Sequence, residues 1–140
     1  MTRSRRPAAA RRSPCPIAGA LDLLGDKWTL LVVRDLFAGK KRYGEFAGGM
    51  EKIPTNLLAE RLKRLEVAGL VKSSAYQDNP PRYEYTLTPT GAALRPVMQE
   101  IVNWGRRHLA GTMVRAEATG NPADSPFLPS WIKLPTKRGK

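Results

Sequence analysis

The sequence has few of the residues from which catalytic and metal sites are usually built. It contains one cysteine, one histidine and 12 acidic residues in 140. An intrachain disulfide is therefore excluded, and the pattern offers neither a Ser/His/Asp set nor a cluster of metal ligands. It also lacks a glycine-rich phosphate loop. We expect no enzyme, no cofactor and no bound metal.

Long apolar runs are also missing. No run approaches the roughly 18 residues that a membrane span needs. The basic N-terminus continues with Ala, Arg, Ser and Pro instead of the apolar core of a secretory signal. A single cysteine fits a reducing compartment. We therefore expect a cytoplasmic protein with no membrane partner.

Positive charge, in contrast, is abundant, with a formal net charge of +12. Residues 1–14 hold five arginines and no acid, whereas residues 15–110 hold 14 basic and 10 acidic residues. Residues 111–140 hold five basic and two acidic residues. Basic tails attract polyanions such as nucleic acids without reading their sequence. Keeping the protein soluble is the alternative role.

Composition divides the chain into three parts. Residues 1–14 form an Arg/Ala/Pro arm for which we expect disorder. Residues 15–112 carry the patterns of a folded domain, and residues 113–140 form a Pro-rich tail. Phe and Trp within residues 127–132 leave two alternatives for this tail. It docks on the body or on a partner subunit, or it stays without fixed structure.

The most informative pattern is an amphipathic helix with a start and a stop signal. Leu58, Leu62 and Leu65 recur at i, i+4 and i+7 and therefore share one face. Pro54 suits the first helical position, and Gly69 suits the left-handed C-cap. The opposite face is short, polar and partly cationic, so it fits a DNA major groove, which admits one α-helix. That face carries Thr55, Asn56, Ala59, Glu60 and Lys63.

Shorter elements surround this helix. Apolar spacing and glycine stops predict helices over residues 17–24 and 26–39, the second capped by Asp26, and a short one from Tyr43 to Ala47. Period-two patterns after Gly69 predict two strands. Their connection, residues 77–81, contains two prolines, which cannot donate ladder hydrogen bonds and are expected outside the sheet.

A long helix is predicted to close the folded part. It begins at the cap Thr88, ends near Leu109 and bends at Pro96, which removes a hydrogen bond. The element order defines an α+β, mainly helical fold class. It is a winged helix-turn-helix with a two-stranded wing and a long C-terminal helix. A small α+β domain without a nucleic-acid role is the alternative, but the exposed polar face favours DNA.

Six short motifs in this order resemble the HxlR-type transcriptional regulators, winged-helix proteins related to the MarR group. The resemblance covers residues 15–108 and excludes both the arm and the tail. The motifs are CPI at 15–17, GDKWTLL at 25–31, RYGEF at 42–46, IPTNLLAERL at 53–62, LEVAGLV at 65–71 and PPRYEYTLT at 80–88.

The resemblance implies a homodimer that binds an inverted-repeat DNA operator. We expect a bacterial or archaeal, nucleoid-associated repressor. It also implies that the first helix and the last long helix form the dimer interface. Ordinary packing is the alternative for Trp104, and a small-molecule effector stays open. The expected interface residues are Ile17, Leu21, Leu94, Met98, Ile101 and Trp104.

Base reading is expected from the amphipathic helix. Asn56 can pair bidentately with adenine, and Arg61 or Lys63 with guanine. Thr55, near the positive end of the helix dipole, suits a phosphate. For Arg61, an internal pair with Glu66 or Glu45 is an equal alternative. Ala59 completes the contacting face.

Further DNA contacts are expected outside that helix. Arg82 follows the Pro-Pro tip and fits a narrow minor groove, although an ion pair with Glu84 or Asp78 is the alternative. Phosphate contacts are expected from the basic turn and from one further lysine, which could instead be only a solvated charge. These residues are Lys40, Lys41, Arg42, Tyr43 and Lys27.

Cys15 is the candidate for a signal. Some relatives of the resembled family sense oxidants or electrophiles with a cysteine at the matching position. The nearby Arg11, Arg12 and the first helix N-terminus favour the reactive thiolate. A small buried residue under the dimer helices is the alternative. The competing function for the whole chain is sequence-independent nucleic-acid binding through the basic arms.

Overall fold

The structure, a computed structural model, describes residues 11–134. It divides into two units, the first ending at Ala92 and the second beginning at Ala93. Within the described residues, no helix combines the length and the apolar character that crossing a bilayer requires. The elements are α1 (Pro16–Leu24), α2 (Thr29–Phe37), α3 (Tyr43–Ala47), α4 (Thr55–Val67), β1 (Val71–Asp78), β2 (Pro81–Leu87), α5 (Pro89–Ala92), α6 (Arg95–His108) and α7 (Arg115–Thr119).

The two first helices are separated by a short capped turn. Pro16 occupies the first position of α1, where its missing N–H costs nothing. The carboxylate of Asp26 accepts the backbone N–H groups of Trp28 at 3.0 Å and of Thr29 at 3.2 Å. Asp26 is thus a cap, as predicted, but the regular helix begins only at Thr29.

Helix α4 supplies the centre of the core of the first unit. Leu58, Leu62 and Leu65 are at most 1% exposed, which confirms the predicted buried face. Gly69 has φ +82°, the left-handed conformation expected of a C-cap glycine. The remaining buried apolar side chains of this unit are Val32, Val33, Leu36, Phe46, Leu70 and Val71.

The wing is an antiparallel hairpin of β1 and β2, with Val71 opposite Leu87. Its register is interrupted between Ala75 and Gln77, so Tyr76 has no cross-strand partner. Pro81 corrects the expectation that both prolines lie outside the sheet, because it opens β2 opposite Asp78. The first residue of a strand tolerates a missing donor.

The predicted long helix is two helices. Helix α5 ends at Ala92 and α6 begins at Arg95, so the chain breaks where only a bend at Pro96 was expected. A proline inside a helix lacks the N–H and clashes with the carbonyl four residues earlier. The break places Pro96 in the first turn of α6, where neither problem arises.

The described part of the tail packs on α6 of its own chain. Phe127 is 2% exposed, and Arg95 and Gln99 of α6 donate hydrogen bonds to the carbonyls of Pro126 at 2.8 Å and of Phe127 at 3.1 Å. Of the two alternatives for the tail, residues 115–134 therefore take the docked one.

An ion pair fastens α7 to the same helix. The guanidinium of Arg106 donates to both carboxylate oxygens of Glu117, at 2.8 and 2.6 Å. This hydrogen bonding lowers the pKa of Glu117 below its ordinary value. The guanidinium of Arg107 lies 4.6 Å from the centre of the Trp131 ring.

The N-terminal arm is described only from Arg11 onward, so most of the expected disordered segment lies outside the described residues. Arg12 forms an ion pair with Asp22 and donates to the carbonyl of Ala18 at 3.3 Å. These contacts join Arg12 to α1, and the expectation of disorder for the arm stays a prediction.

Candidate nucleic-acid interface

One polar face of α4 lies at the surface of the first unit. Because its buried leucines occupy the opposite side, five residues of this face are exposed. They offer an amide, a hydroxyl, a carboxylate and an ammonium along one side of a helix, which is the chemistry that base edges recognise. We call this surface the reading face: Thr55, Asn56, Ala59, Glu60 and Lys63.

Arg61 does not belong to the reading face. Its Nε donates to Asp26 Oδ2 at 2.7 Å, it pairs with the neighbouring Glu60, and its side chain is 14% exposed. The predicted internal partners were wrong, because Glu66 accepts from Ser73 and Glu45 caps α3. The DNA contact predicted for Arg61 is therefore withdrawn, since its guanidinium is already bound within the chain.

Glu45 shapes the basic turn before α3. Its carboxylate accepts the backbone N–H groups of Lys41 at 2.7 Å and Arg42 at 3.0 Å, and these hydrogen bonds lower its pKa. Lys40 lies 3.4 Å from Asp35. The side chain of Lys41 is exposed and forms no ion pair with any described residue. Of the two lysines, Lys41 is the one left available for a phosphate.

Arg42 holds the wing against α3. Its guanidinium donates to Glu84 at 3.0 Å and lies 3.7 Å from the centre of the Tyr76 ring. Tyr76 is the residue that the irregular register of β1 leaves without a cross-strand partner. The backbone adds a hydrogen bond from Tyr85 N–H to the Lys41 carbonyl at 2.8 Å. The guanidinium of Arg42 is thus already paired with a carboxylate, and its predicted phosphate contact, which would compete with this pair, stays a prediction.

Tyr43 has an intramolecular role as well. Its hydroxyl donates to the carbonyl of Thr55 at 2.6 Å and so ties α3 to the first residue of α4. The hydroxyl proton is therefore not available to the phosphate that the sequence suggested. Only the oxygen lone pairs and the half-exposed ring remain on the surface.

The other two predicted cations stay exposed. Arg82 lies near the tip of the wing and, among the described residues, forms neither of the ion pairs that the sequence left open. Glu84, one of those candidates, is bound to Arg42. Lys27 lies 5.1 Å from the centre of the Trp28 ring, where its ammonium remains in contact with solvent.

The residues expected at a dimer interface differ in exposure. Ile17 and Leu21 on α1 are 71% and 52% exposed, and Ile101 and Trp104 on α6 are 49% and 59% exposed. Leu94 is half-buried. Met98 is 6% exposed, so its predicted place at the interface is corrected to a place in the core.

Cys15 is exposed at the N-terminal end of α1. The neighbouring Arg12 forms an ion pair with Asp22. Within residues 11–134, no group of three or more His, Cys, Asp or Glu side chains could hold a metal ion.

The sequence analysis missed the contacts by which three residues organise this site: Asp26, Arg64 and Tyr76. Arg64 donates to Asp26 at 2.9 Å and to the Leu23 carbonyl at 3.2 Å. The spacing of Arg61 and Arg64 was the available signal, because residues three apart share one side of a helix. Nothing in the sequence marks Asp26 as their partner.

Comparison with known proteins gives the family. The model of the HxlR-like helix-turn-helix family matches residues 23–113. The HTH-type transcriptional regulator sll1512 of Synechocystis is 40% identical over 84 residues, which are 60% of this chain and 62% of that relative's length.

Two solved structures share the fold. The reduced form of the transcriptional regulator YodB from Bacillus subtilis matches with a TM-score of 0.58 and 35% identity over 71% of this chain and 98% of that one. The redox regulator HypR in its reduced form matches with a TM-score of 0.63 and 32% identity, covering 69% of this chain and 95% of that one. The chain belongs to the HxlR-like helix-turn-helix family and is a winged-helix transcriptional regulator.

Proposed function

We propose that this regulator binds an inverted-repeat DNA operator as a homodimer in the cytoplasm and represses transcription there. The observation that carries the proposal is the reading face of α4, which combines an exposed amide and an exposed ammonium beside small side chains. A helix of this kind enters the major groove, and the wing beside it reaches the backbone or the minor groove.

Each exposed group has a chemical role in this proposal. Asn56 pairs with adenine, Lys63 with guanine, and Thr55 binds a phosphate at the start of α4. Lys41 contributes a phosphate contact and Arg82 extends toward the minor groove. Phosphate contacts supply affinity, whereas the base contacts supply preference.

Exposed apolar side chains support the homodimer. Val97, Ile101 and Trp104 share one face of α6, and Ile17 and Leu21 lie on α1, all at least 45% exposed in the single chain. Apolar patches of this kind on a soluble chain usually mark an interaction surface. A two-fold dimer matches the symmetry of an inverted repeat.

The first experiment selects DNA from a random pool with the purified full chain at about 150 mM salt, where binding by charge alone is weak. A recovered palindrome supports the proposal. Asn56→Ala should then weaken operator binding by about 1–3 kcal/mol and relax the preference at one position. If Asn56→Ala keeps the full preference, the assignment of the reading face is wrong.

Sequence-independent binding through the arms is the competing function. Glu117 and Pro126 of the tail accept hydrogen bonds from arginines of α6, so deletions should spare this part of the chain. A chain lacking residues 1–10 and 135–140 loses six positive charges. A sequence-specific regulator keeps its operator preference after this deletion, whereas a binder that acts through charge loses most of its affinity.

A response to oxidants through Cys15 is a second candidate. Its support is the exposure of the thiol at the start of α1, together with the similarity of the fold to a redox regulator. A lone cysteine can form a disulfide only with a second subunit or a small thiol, and each disulfide passes two electrons and two protons to the oxidant. Diamide should weaken operator binding by the wild-type chain and leave Cys15→Ser unchanged.

A further inference from the structure

A cluster of charged and polar side chains joins α4 to the elements before it. Asp26, in the turn between α1 and α2, accepts hydrogen bonds from Arg61 at 2.7 Å and from Arg64 at 2.9 Å. It also accepts the hydroxyl hydrogen of Thr29, a residue with no exposed surface. We call Asp26, Thr29, Arg61 and Arg64 the Asp26 cluster.

The cluster touches three helices, α1, α2 and α4. Asp26 caps the N-terminal end of α2 by accepting the Trp28 and Thr29 N–H groups. Arg64 reaches further, to the carbonyl of Leu23 near the end of α1. The leucines on the other side of α4 fix its depth in the core. Apolar packing has no preferred direction, whereas hydrogen bonds to a carboxylate fix an orientation.

The positions of the two arginines on α4 give the cluster its relevance to the reading face. Arg61 directly follows Glu60 and Arg64 directly follows Lys63, and both of these preceding residues belong to the reading face. Glu60 on the reading face also pairs with Arg61 and lies 4.0 Å from Arg64. A rotation of α4 that moved these arginines would therefore move the base-reading side chains as well.

We propose that Asp26 is the positioning residue that sets the rotation and tilt of α4, and hence the alignment of the reading face with the major groove. In this proposal Asp26 itself touches no DNA. The proposal rests on the proposed function, because its consequence is a change in operator binding. Burial alone would raise the pKa of Asp26, but hydrogen bonds from Thr29, Arg61 and Trp28 outweigh it and lower the pKa well below the ordinary value. The carboxylate therefore stays charged and able to hold both arginines at neutral pH.

The test compares Asp26→Asn with Asp124→Asn, which removes the same charge in the 3-10 turn of the tail, Pro122–Asp124. Affinities for the selected operator and for random DNA are both measured well below the melting temperature. Asp26→Asn should weaken operator binding roughly tenfold, about the loss of one base contact. Random DNA should bind as well as before or better, because one negative charge has gone.

A merely structural role gives a different result. If Asp26→Asn only unfolds part of the population, both affinities fall by the same factor, and the proposal is overturned. Equal operator affinity for the two variants overturns it as well. The ratio of operator affinity to random-DNA affinity therefore distinguishes a positioning role from a structural one, even if the melting temperature changes.

A second readout is independent of DNA. Spin labels at Ala38→Cys, directly after α2, and at Val67→Cys on α4, in a Cys15→Ser chain diluted with unlabelled chain, report the distance between the ends of the two helices. Asp26→Asn should shift or broaden this distance distribution, and Asp124→Asn should not. An unchanged distribution refutes the positioning role. Failure of the wild-type chain to select any sequence refutes the proposed function instead.

Discussion

Two neighbouring cations, Lys41 and Arg42, should respond differently to the same substitution. Both are exposed and both were predicted from the sequence to contact phosphates. In the structure the ammonium of Lys41 has no ion-pair partner among the described residues, whereas the guanidinium of Arg42 is bound by Glu84 and stacks on Tyr76. Replacing either with glutamine removes one positive charge, so the change in net charge is matched.

The expected magnitudes follow from counterion release and from surface ion pairs. Losing one phosphate contact lowers the slope of log K against log salt by about 0.9. Between 50 and 200 mM salt, that difference changes the ratio of wild-type to Lys41→Gln affinity roughly 3.5-fold. Arg42→Gln should change the slope by less than half as much. Its cost appears instead in the free energy of unfolding, at about 1 kcal/mol for a half-exposed ion pair and ring contact.

The assay is operator binding by fluorescence anisotropy over that salt range, with urea unfolding of each variant in parallel. Operator and random DNA should show the same slope change for Lys41→Gln, because phosphate contacts carry no sequence information. Equal slopes for the two variants would refute the assignment of Arg42 to the wing. So would an unfolding free energy that Arg42→Gln leaves unchanged.

Three further predictions concern stability. Phe127→Ala should lower the free energy of unfolding by up to about 3–5 kcal/mol, measured by urea unfolding, because the ring is buried. Gly91→Ala should destabilise, since its Cβ would lie 2.1 Å from the Leu70 carbonyl oxygen, whereas Gly44→Ala, with open space, should raise the melting temperature slightly. The pKa of Glu117 is lowered in the folded chain, so its ion pair stabilises above the ordinary value of 4.5 and this contribution is lost as pH falls below it. Glu117→Gln should therefore make the melting temperature depend less on pH in that acidic range.

Local signals explain why much of the first unit was predictable. The leucine spacing of α4, the cap at Asp26, the bounds of α3 and the left-handed Gly69 all depend on residues within about one or two turns. Their physical causes, helical period and capping, act over the same short span. The reading face followed directly, because the exposed side of a helix is fixed once its buried side is known.

Side chains with partners far along the chain were predicted poorly. For Arg61 the sequence left DNA contact and an internal ion pair open, and for Arg42 it suggested a phosphate contact. Their carboxylate partners lie 35 and 42 residues away. A sequence states which charges exist but not which ones meet. The prediction for Pro96 was wrong for a different reason. The cost of a proline inside a helix was recognised, but the chain avoids that cost by ending α5 and starting α6.

The sequence by itself determined the order of elements from α1 to β2, the buried face of α4 and the exposed reading face, because hydrophobic period and local capping depend on neighbouring residues. Only the tertiary structure decided which cations remain free to meet DNA. Asp26 and Glu84 bind Arg61 and Arg42, while Lys41, Lys63 and Arg82 form no ion pair with any described residue. The physical reason is that an ion pair depends on distances of a few ångströms, which exist only after the chain has folded.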